Sequence, residues 1–174
     1  MWLMDFFKLT DTSHHSCFRK PIHLKKNQME TQNICPTCTV TMRLVKSEDL
    51  NHHGTLFAGR TAEWFVESGF IAVASLLNPQ NVVCLKIHGM FFTKPAKSGD
   101  VLKFSSKVAY AGNSSITAYV QVVNNGAEKP LVDGFVTFIH VDENTRPCPH
   151  HLNINPVSEE DKRLYEEAKN LRTK

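Results

Sequence analysis

The fold class this sequence predicts is α+β, an antiparallel sheet wrapped around one long central helix. Three observations predict it. Between Trp64 and Leu77 the chain is apolar nearly all the way round a helix, as a helix packed on every side would be. One segment with the two-residue period of a strand precedes that helix and four follow it. Connections rich in Pro, Gly and Asn separate the later strands, so they return by hairpins rather than crossovers.

In order, residues 1–33 read as a flexible basic leader, with His14 beside His15, a cluster at Lys20, Lys25 and Lys26, and a second usable start at Met29. The main domain is expected over 34–156. It opens on a strand in which Val40, Met42 and Leu44 point one way and Thr39, Thr41 and Arg43 the other. The helix begins near Ala58 and stops by Asn78-Pro79, since Pro cannot continue it. Four strands follow: Val82 to Thr93, Val101 to Tyr110, Ser114 to Val123, and Leu131 to Val141. The turns "KPAKSGD", "AGNS" and "NNGAEKP" divide them. Over 157–174 a peripheral helix is expected, capped by Ser158, with Leu164, Ala168 and Leu171 as its narrow apolar stripe.

Composition bounds the function. The 174 residues suffice for one domain with tails, and 41% hydrophobic and 21% charged residues are ordinary for a globular protein. A net charge of +3 lacks the basic stripe of a nucleic-acid surface, so no nucleic-acid partner is expected. No apolar run is long enough for a membrane span. "MWLMDFF" is broken at Asp5 and has no basic region before it, unlike a signal peptide. Five Cys without a scaffold pattern suit reduced thiols in a cytoplasmic protein. Cys35 and Cys38 have metal-ligand spacing, and Cys148, His150 and His151 could complete a set. With no second CxxC and a strand starting at Cys38, no metal site is expected.

The chemistry concentrates in "NHHGTLFAGRTAEWFVESG". A buried helix carrying Glu63 and Glu67 must pair them, raise their pKa or employ them. The N–H groups of its first turn, at Ala58 and Gly59, are free to receive an anion, and Gly59 admits a close approach to the backbone. Asn51 stands at the loop before it, where it either caps the turn ahead of Gly54 or contacts a ligand. His53, on the same loop, has no evident role. Lys94 and Lys97 could meet phosphate, or simply flank an ordinary turn.

Four segments, "NHHGTLFAGRTAEW", "FTKPAKSGD", "AGNSSITAYVQV" and "FVTFIHVDENTRPCP", fall in one order across residues 39–149. Together they resemble the hotdog-fold acyl-CoA thioesterases. That resemblance implies an acyl-CoA substrate, with coenzyme A as part of it and no separate cofactor. It also implies a homodimer joined edge to edge, and in many relatives a trimer of such dimers. It gives Asn51, at the head of its N-x-x-G motif with Gly54, the task of orienting substrate or water. The turn Gly112-Asn113-Ser114-Ser115 would hold pyrophosphate. In a gapless match the acid of the nearer relatives falls on Val66, so Glu67, turned about 100° away, and Glu63, about 60° away, compete as general base.

The expected reaction is hydrolysis of fatty acyl-CoA to free acid and CoA. The alternative is a hotdog module that binds acyl-CoA without cleaving it, which Val66 favours. A dehydratase would want a His on the central helix, and this helix has none.

Overall fold

A computed structural model describes residues 31–125, 127 and 129–171. The expected features at His14, His15, Lys20, Lys25, Lys26 and Met29 lie outside those residues. The elements are β1 (Gln32–Ile34), β2 (Thr39–Leu44), α1 (Ala58–Ala74), β3 (Val82–His88), β4 (Val101–Ala111), β5 (Ser115–Asn124), β6 (Val132–His140), β7 (Leu152–Ile154) and α2 (Glu159–Asn170). Five strands form an antiparallel sheet in the order β2-β4-β5-β6-β3. Its inner face packs on α1. Phe65 from the helix meets Phe104, Val120 and Phe138 from the strands in one core, all essentially inaccessible to solvent.

Structure begins earlier than residue 34. Gln32–Ile34 pairs in parallel with Leu152–Ile154 and closes a two-stranded ribbon beside the main sheet. A three-residue strand between polar neighbours has no period to reveal it.

The strand expected over Val82 to Thr93 ends at His88. Gly89, with φ of 71°, turns the chain out of the sheet there. It passes so close to Gly134 that a Cβ on Gly134 would sit 2.2 Å from the Gly89 carbonyl oxygen. The segment from Met90 to Ala96 then runs free of the ladder and is fixed at Thr93, whose N–H donates to the Leu131 carbonyl at 2.9 Å.

α1 is buried on one side only within this chain. Thr61, Phe65, Ser68, Gly69, Ala72 and Val73 face the sheet, whereas Glu63 and Glu67 are exposed and Val66 and Phe70 half-buried. The expectation of a helix enclosed on every side is corrected accordingly: its apolar far side stays partly open in one chain.

β2 shows the expected alternation and turns its apolar row outward. Its apolar row, Val40, Met42 and Leu44, is about half exposed, and its polar row faces α1. Thr41 donates to Ser68 at 3.5 Å, Ser68 to Ser106 at 3.2 Å, and Ser106 to the Ser68 carbonyl at 2.8 Å.

The outer face of the sheet carries α2. Leu164 and Ala168 bury themselves against Ala109, Tyr119 and Phe135, with Leu171 packed alongside. Ser158 and Asp161 form a reciprocal capping box at its start. Lys107 reaches up from β4 to Asp161 at 2.8 Å. No helix among the described residues is long and apolar enough to cross a membrane.

Candidate active site

The loop between β2 and α1 is tied at both ends. Leu50 bridges Leu56, the Phe57 N–H donates to the Asp49 carbonyl at 2.9 Å, and the Leu56 N–H donates to the Ala96 carbonyl at 2.8 Å. Asp49 is the buried anchor, 7% exposed. One carboxylate oxygen accepts from the Lys46 N–H at 3.0 Å and the other pairs with Arg60 Nε at 3.1 Å. This clamp fixes the first turn of α1 to the loop. Neither residue stood out in the sequence, because an Asp before a turn and an Arg on a helix are both commonplace.

Within the loop, Gly54 takes a φ of 72° that a side chain would strain, and its N–H donates to the Asn51 carbonyl at 3.0 Å. The Asn51 side chain is committed on one atom only. Its Oδ1 accepts from the His53 N–H at 2.9 Å, the Thr55 N–H at 3.3 Å and the Thr55 hydroxyl at 3.3 Å. That fixes the amide, and no described residue accepts from Nδ2. The turn-capping and ligand-binding roles are therefore compatible, using opposite atoms of one side chain.

Asn51 lines a pocket of about 290 Å³. Ala58 and Thr61 of α1, the exposed Phe92 and Lys94, and the buried Leu102 and Val122 line it too. No side chain caps the N-terminus of α1. The amides of its first turn therefore keep their affinity for negative charge beside the pocket.

The other expected site residues are dispersed within one chain. Gly59 and Glu63 share a different surface hollow with Asp49 and Arg60, and Glu63 pairs with Arg60 at 2.7 Å. A Cβ at Gly59 would lie 2.4 Å from the Phe57 ring, so this glycine makes room for Phe57. Glu67 looks toward β2, where Arg43 Nη2 holds its carboxylate. Lys97 is exposed and helps close its turn through its N–H, which donates to Asp100 at 2.8 Å. Cys35 and Cys38 are exposed, and Cys148 contacts His140 Nδ1 at 3.2 Å.

The turn Gly112–Ser115 lies at the far end of the β4–β5 hairpin. The nine residue steps from Leu102 to Ala111 put it about 30 Å along the strands from the Asn51 pocket of the same chain. It is rigidly built. The Gly112 N–H donates to the Ser115 carbonyl at 2.7 Å, and the His140 and His150 N–H groups donate to the Ser114 and Asn113 carbonyls at 2.8 and 3.2 Å. Below it His150 is nearly inaccessible. Burial pushes its pKa down, with smaller contributions from His140 and His151 in the same direction against its bond to Ser115.

A helix wrapped by a five-stranded antiparallel sheet, with an Asn loop opening on the helix N-terminus, defines a hotdog thioesterase. Residues 53–130 match the Thioesterase superfamily. A solved hexameric acyl-CoA thioesterase is 31% identical, superposes with a TM-score of 0.71, and shares 78% of this chain and 88% of its own. An acyl-CoA hydrolase of Staphylococcus aureus, solved with butyryl coenzyme A, coenzyme A and coenzyme A disulfide, is 26% identical with a TM-score of 0.68, over 78% of this chain and 84% of that one. A Bacillus subtilis protein named as an acyl-CoA thioester hydrolase, itself uncharacterized, is 27% identical over 69% of this chain and 71% of its own length. This chain belongs to the hotdog-fold acyl-CoA thioesterase family.

The Staphylococcus aureus protein has also been solved as separate variants that replace an Asn and an Asp fifteen residues apart. Fifteen residues after Asn51 this chain has Val66, half-buried on the open side of α1. The carboxylate here is one position on, turned toward Arg43.

Proposed function

We propose that this chain hydrolyses fatty acyl-CoA thioesters to the free acid and CoA, with water as the only other reactant. The observation that carries this reading is Asn51, its Oδ1 held inside the loop and its Nδ2 without an acceptor among the described residues, in the lining of a pocket beside α1. Beside it lies the uncapped first turn of α1.

The geometry suits thioester chemistry. Water attacks the carbonyl carbon, a carboxylate takes the water's proton, and the developing oxyanion meets N–H donors from Asn51 and the Ala58 turn. The tetrahedral intermediate then collapses and expels the CoA thiolate, which takes up a proton. Preorganised donors of this kind contribute about 10²- to 10³-fold each, and a positioned base about 10²- to 10⁴-fold.

In this reading the base comes from a second chain. Glu67 is about 240° around the helix and about 9 Å along it from Thr61, which faces the pocket, so it does not reach its own Asn51. The half-open side of α1 lies between them and would pack on the same helix of a partner in an isologous dimer. Two such contacts would give two equivalent sites per homodimer. The hexameric assembly of a solved relative is consistent with further association into a trimer of dimers. The turn Gly112–Ser115, remote from its own pocket, would in the same way serve the CoA of another chain's site, while Lys94 meets CoA phosphate at the pocket rim.

A binding-only module is the second reading, favoured by Val66 where the relatives' Asp stands and by Arg43 occupying Glu67. Incubating purified protein with acyl-CoAs of graded length and following free thiol separates the two. Saturable thiol release establishes hydrolysis, whereas tight binding with no release establishes the module.

A further inference from the structure

We infer that Cys35 and Cys38 form a redox couple, a surface dithiol that exchanges with low-molecular-weight disulfides and, once closed, unclips β1 from β7. The inference is independent of the acyl-CoA reading and lies outside the residues that reading uses.

The two thiols stand in "CPTC", the segment that joins β1 to β2. Both are free and exposed, so a small disulfide can reach either. Among the described residues no His, Asp or Glu gathers with them into a metal-holding group. A pair of thiols without further donors is suited to exchange rather than to a tetrahedral cation.

The exchange has two steps. One thiolate attacks a sulfur of the incoming disulfide, whose S–S bond breaks, and the departing thiolate takes up a proton. The second thiolate then attacks the protein sulfur of the mixed disulfide and expels the other half, which is protonated in turn. The protein gives up two electrons and two protons, and the small disulfide becomes two thiols.

Closure demands a change of shape. A disulfide holds its Cα atoms about 4.4–6.8 Å apart, whereas extended chain separates residues three positions apart by about 10 Å. The chain runs from Cys35 to Cys38 without a turn or bend, and the Thr37 hydroxyl donates to the Cys35 carbonyl at 3.4 Å. The sequence also suits the closed form. Pro36 is the second residue of the four, where its fixed φ favours a β-turn that brings the outer Cα atoms within about 7 Å.

The two ends of the segment are held unequally. β2 lies against β4 through six cross-strand pairs, whereas β1 has three with β7. The Gln32 N–H donates to the His151 carbonyl and the Asn155 N–H to the Ile34 carbonyl, both at 2.8 Å, and Asn153 Nδ2 donates to Asn33 Oδ1 at 2.9 Å. Contraction between the cysteines is therefore taken up by β1, the shorter ladder, and these are the bonds it breaks.

The test exposes the full chain to excess glutathione disulfide and maps residues 27–43, the tryptic peptide that carries Cys35 and Cys38 and no other Cys. In the wild type that peptide should lose both alkylatable thiols together and carry no glutathione. Cys35→Ser and Cys38→Ser should each keep one bound glutathione, since no second thiol expels it. Hydrogen exchange at the Gln32 and Asn155 amides should quicken by about tenfold or more in the closed wild type, as in a locally opened element, and slow again on reduction with dithiothreitol.

A wild-type peptide that stays a dithiol, or that keeps glutathione as the single variants do, overturns the couple. A closed disulfide with unchanged exchange at both amides overturns the unclipping of β1.

Discussion

Arg43 on β2 grips the carboxylate of Glu67 on α1, through Nη2 and one carboxylate oxygen. Both side chains are partly exposed, at 38% and 46%, so the pair contributes little to folding. What it supplies is position. It fixes a carboxylate on the open side of the helix, one residue beyond Val66.

Glu67→Gln should lower kcat by about 100-fold or more at similar KM, as loss of a general base does. Arg43→Gln should lower kcat by about tenfold, since Glu67 remains but is no longer held. Glu63→Gln should change little, because Glu63 is 62% exposed and paired with Arg60. Steady-state kinetics on the three variants checks this. A large loss in the Glu63 variant alone would move the base to that residue.

If Asn51 of one chain works with Glu67 of the partner subunit, two dead variants can repair each other. Asn51→Ala and Glu67→Gln proteins, mixed under conditions of subunit exchange, should form about half mixed dimers. Each mixed dimer has one intact site and one doubly lost. About a quarter of wild-type activity should return if sites act independently. Verified exchange with no recovery would place both residues in one chain's site or remove Glu67 from the mechanism.

Asn51→Asp is a cleaner probe than Asn51→Ala. It keeps an oxygen for the His53 and Thr55 N–H groups, and so keeps the loop, but it removes the Nδ2 donor. The melting temperature should be nearly unchanged while kcat falls by about 10²-fold. Unaltered turnover would reduce Asn51 to a loop residue.

Acidification should loosen the end of the sheet that carries Gly112–Ser115. His150 is held as a neutral ring there. Its Nδ1 accepts from the Leu152 N–H at 3.0 Å, and its Nε2 faces the Ser115 carbonyl at 3.2 Å. Protonation would remove that acceptor. Burial lowers its folded pKa below the unfolded value of about 6.5. The folded state thus binds fewer protons, so this stability is fully present above pH 6.5 and is lost as pH falls from there through the lowered folded value. His88, lowered by burial and then by Lys86, acts in the same direction. Denaturant titrations between pH 7.5 and 5 should show the decline, reduced in a His150→Gln variant; an equal slope in both would exclude His150 as the cause.

Gly134→Ala should destabilise the fold by about 2–3 kcal/mol, within the range of overpacking effects. The added carbon would meet backbone at Gly89 rather than a side chain able to move aside. Chemical denaturation measures it. A change under 0.5 kcal/mol would mean that the segment from Met90 to Ala96 shifts freely.

The sheet and central helix were legible because their periods are long and clean. β4, β5 and β6 fall within a residue or so of their expected bounds, since inward-facing Leu102, Phe104, Ile116, Ala118 and Val136 alternate with more polar neighbours. β1 and β7 were not legible, because three residues cannot display a period. The inward side of β2 was not legible: alternation shows that a strand has two faces, but Thr41 and Arg43 face the helix on account of partners 27 and 24 residues away. Asn51 drew notice through the resemblance, as the head of an N-x-x-G motif ending at Gly54. The Asp49–Arg60 clamp did not, because only the folded loop brings those side chains together.

The hydroxyls beneath α1 have a consequence for alignment. A half-buried strand can slip by one position and turn its faces over. For β2 that slip would hide Val40, Met42 and Leu44 and gain about 1.5–3 kcal/mol for each side chain fully buried. It would also leave Ser68 and Ser106 facing hydrocarbon, deprive Glu67 of Arg43, and break six cross-strand pairs with β4. Ser68 and Ser106 thus act as an index mark, reading whether β2 has docked in phase and penalising the greasier alternative. The apolar ridge on the outside of the sheet is what remains visible when that reading is correct.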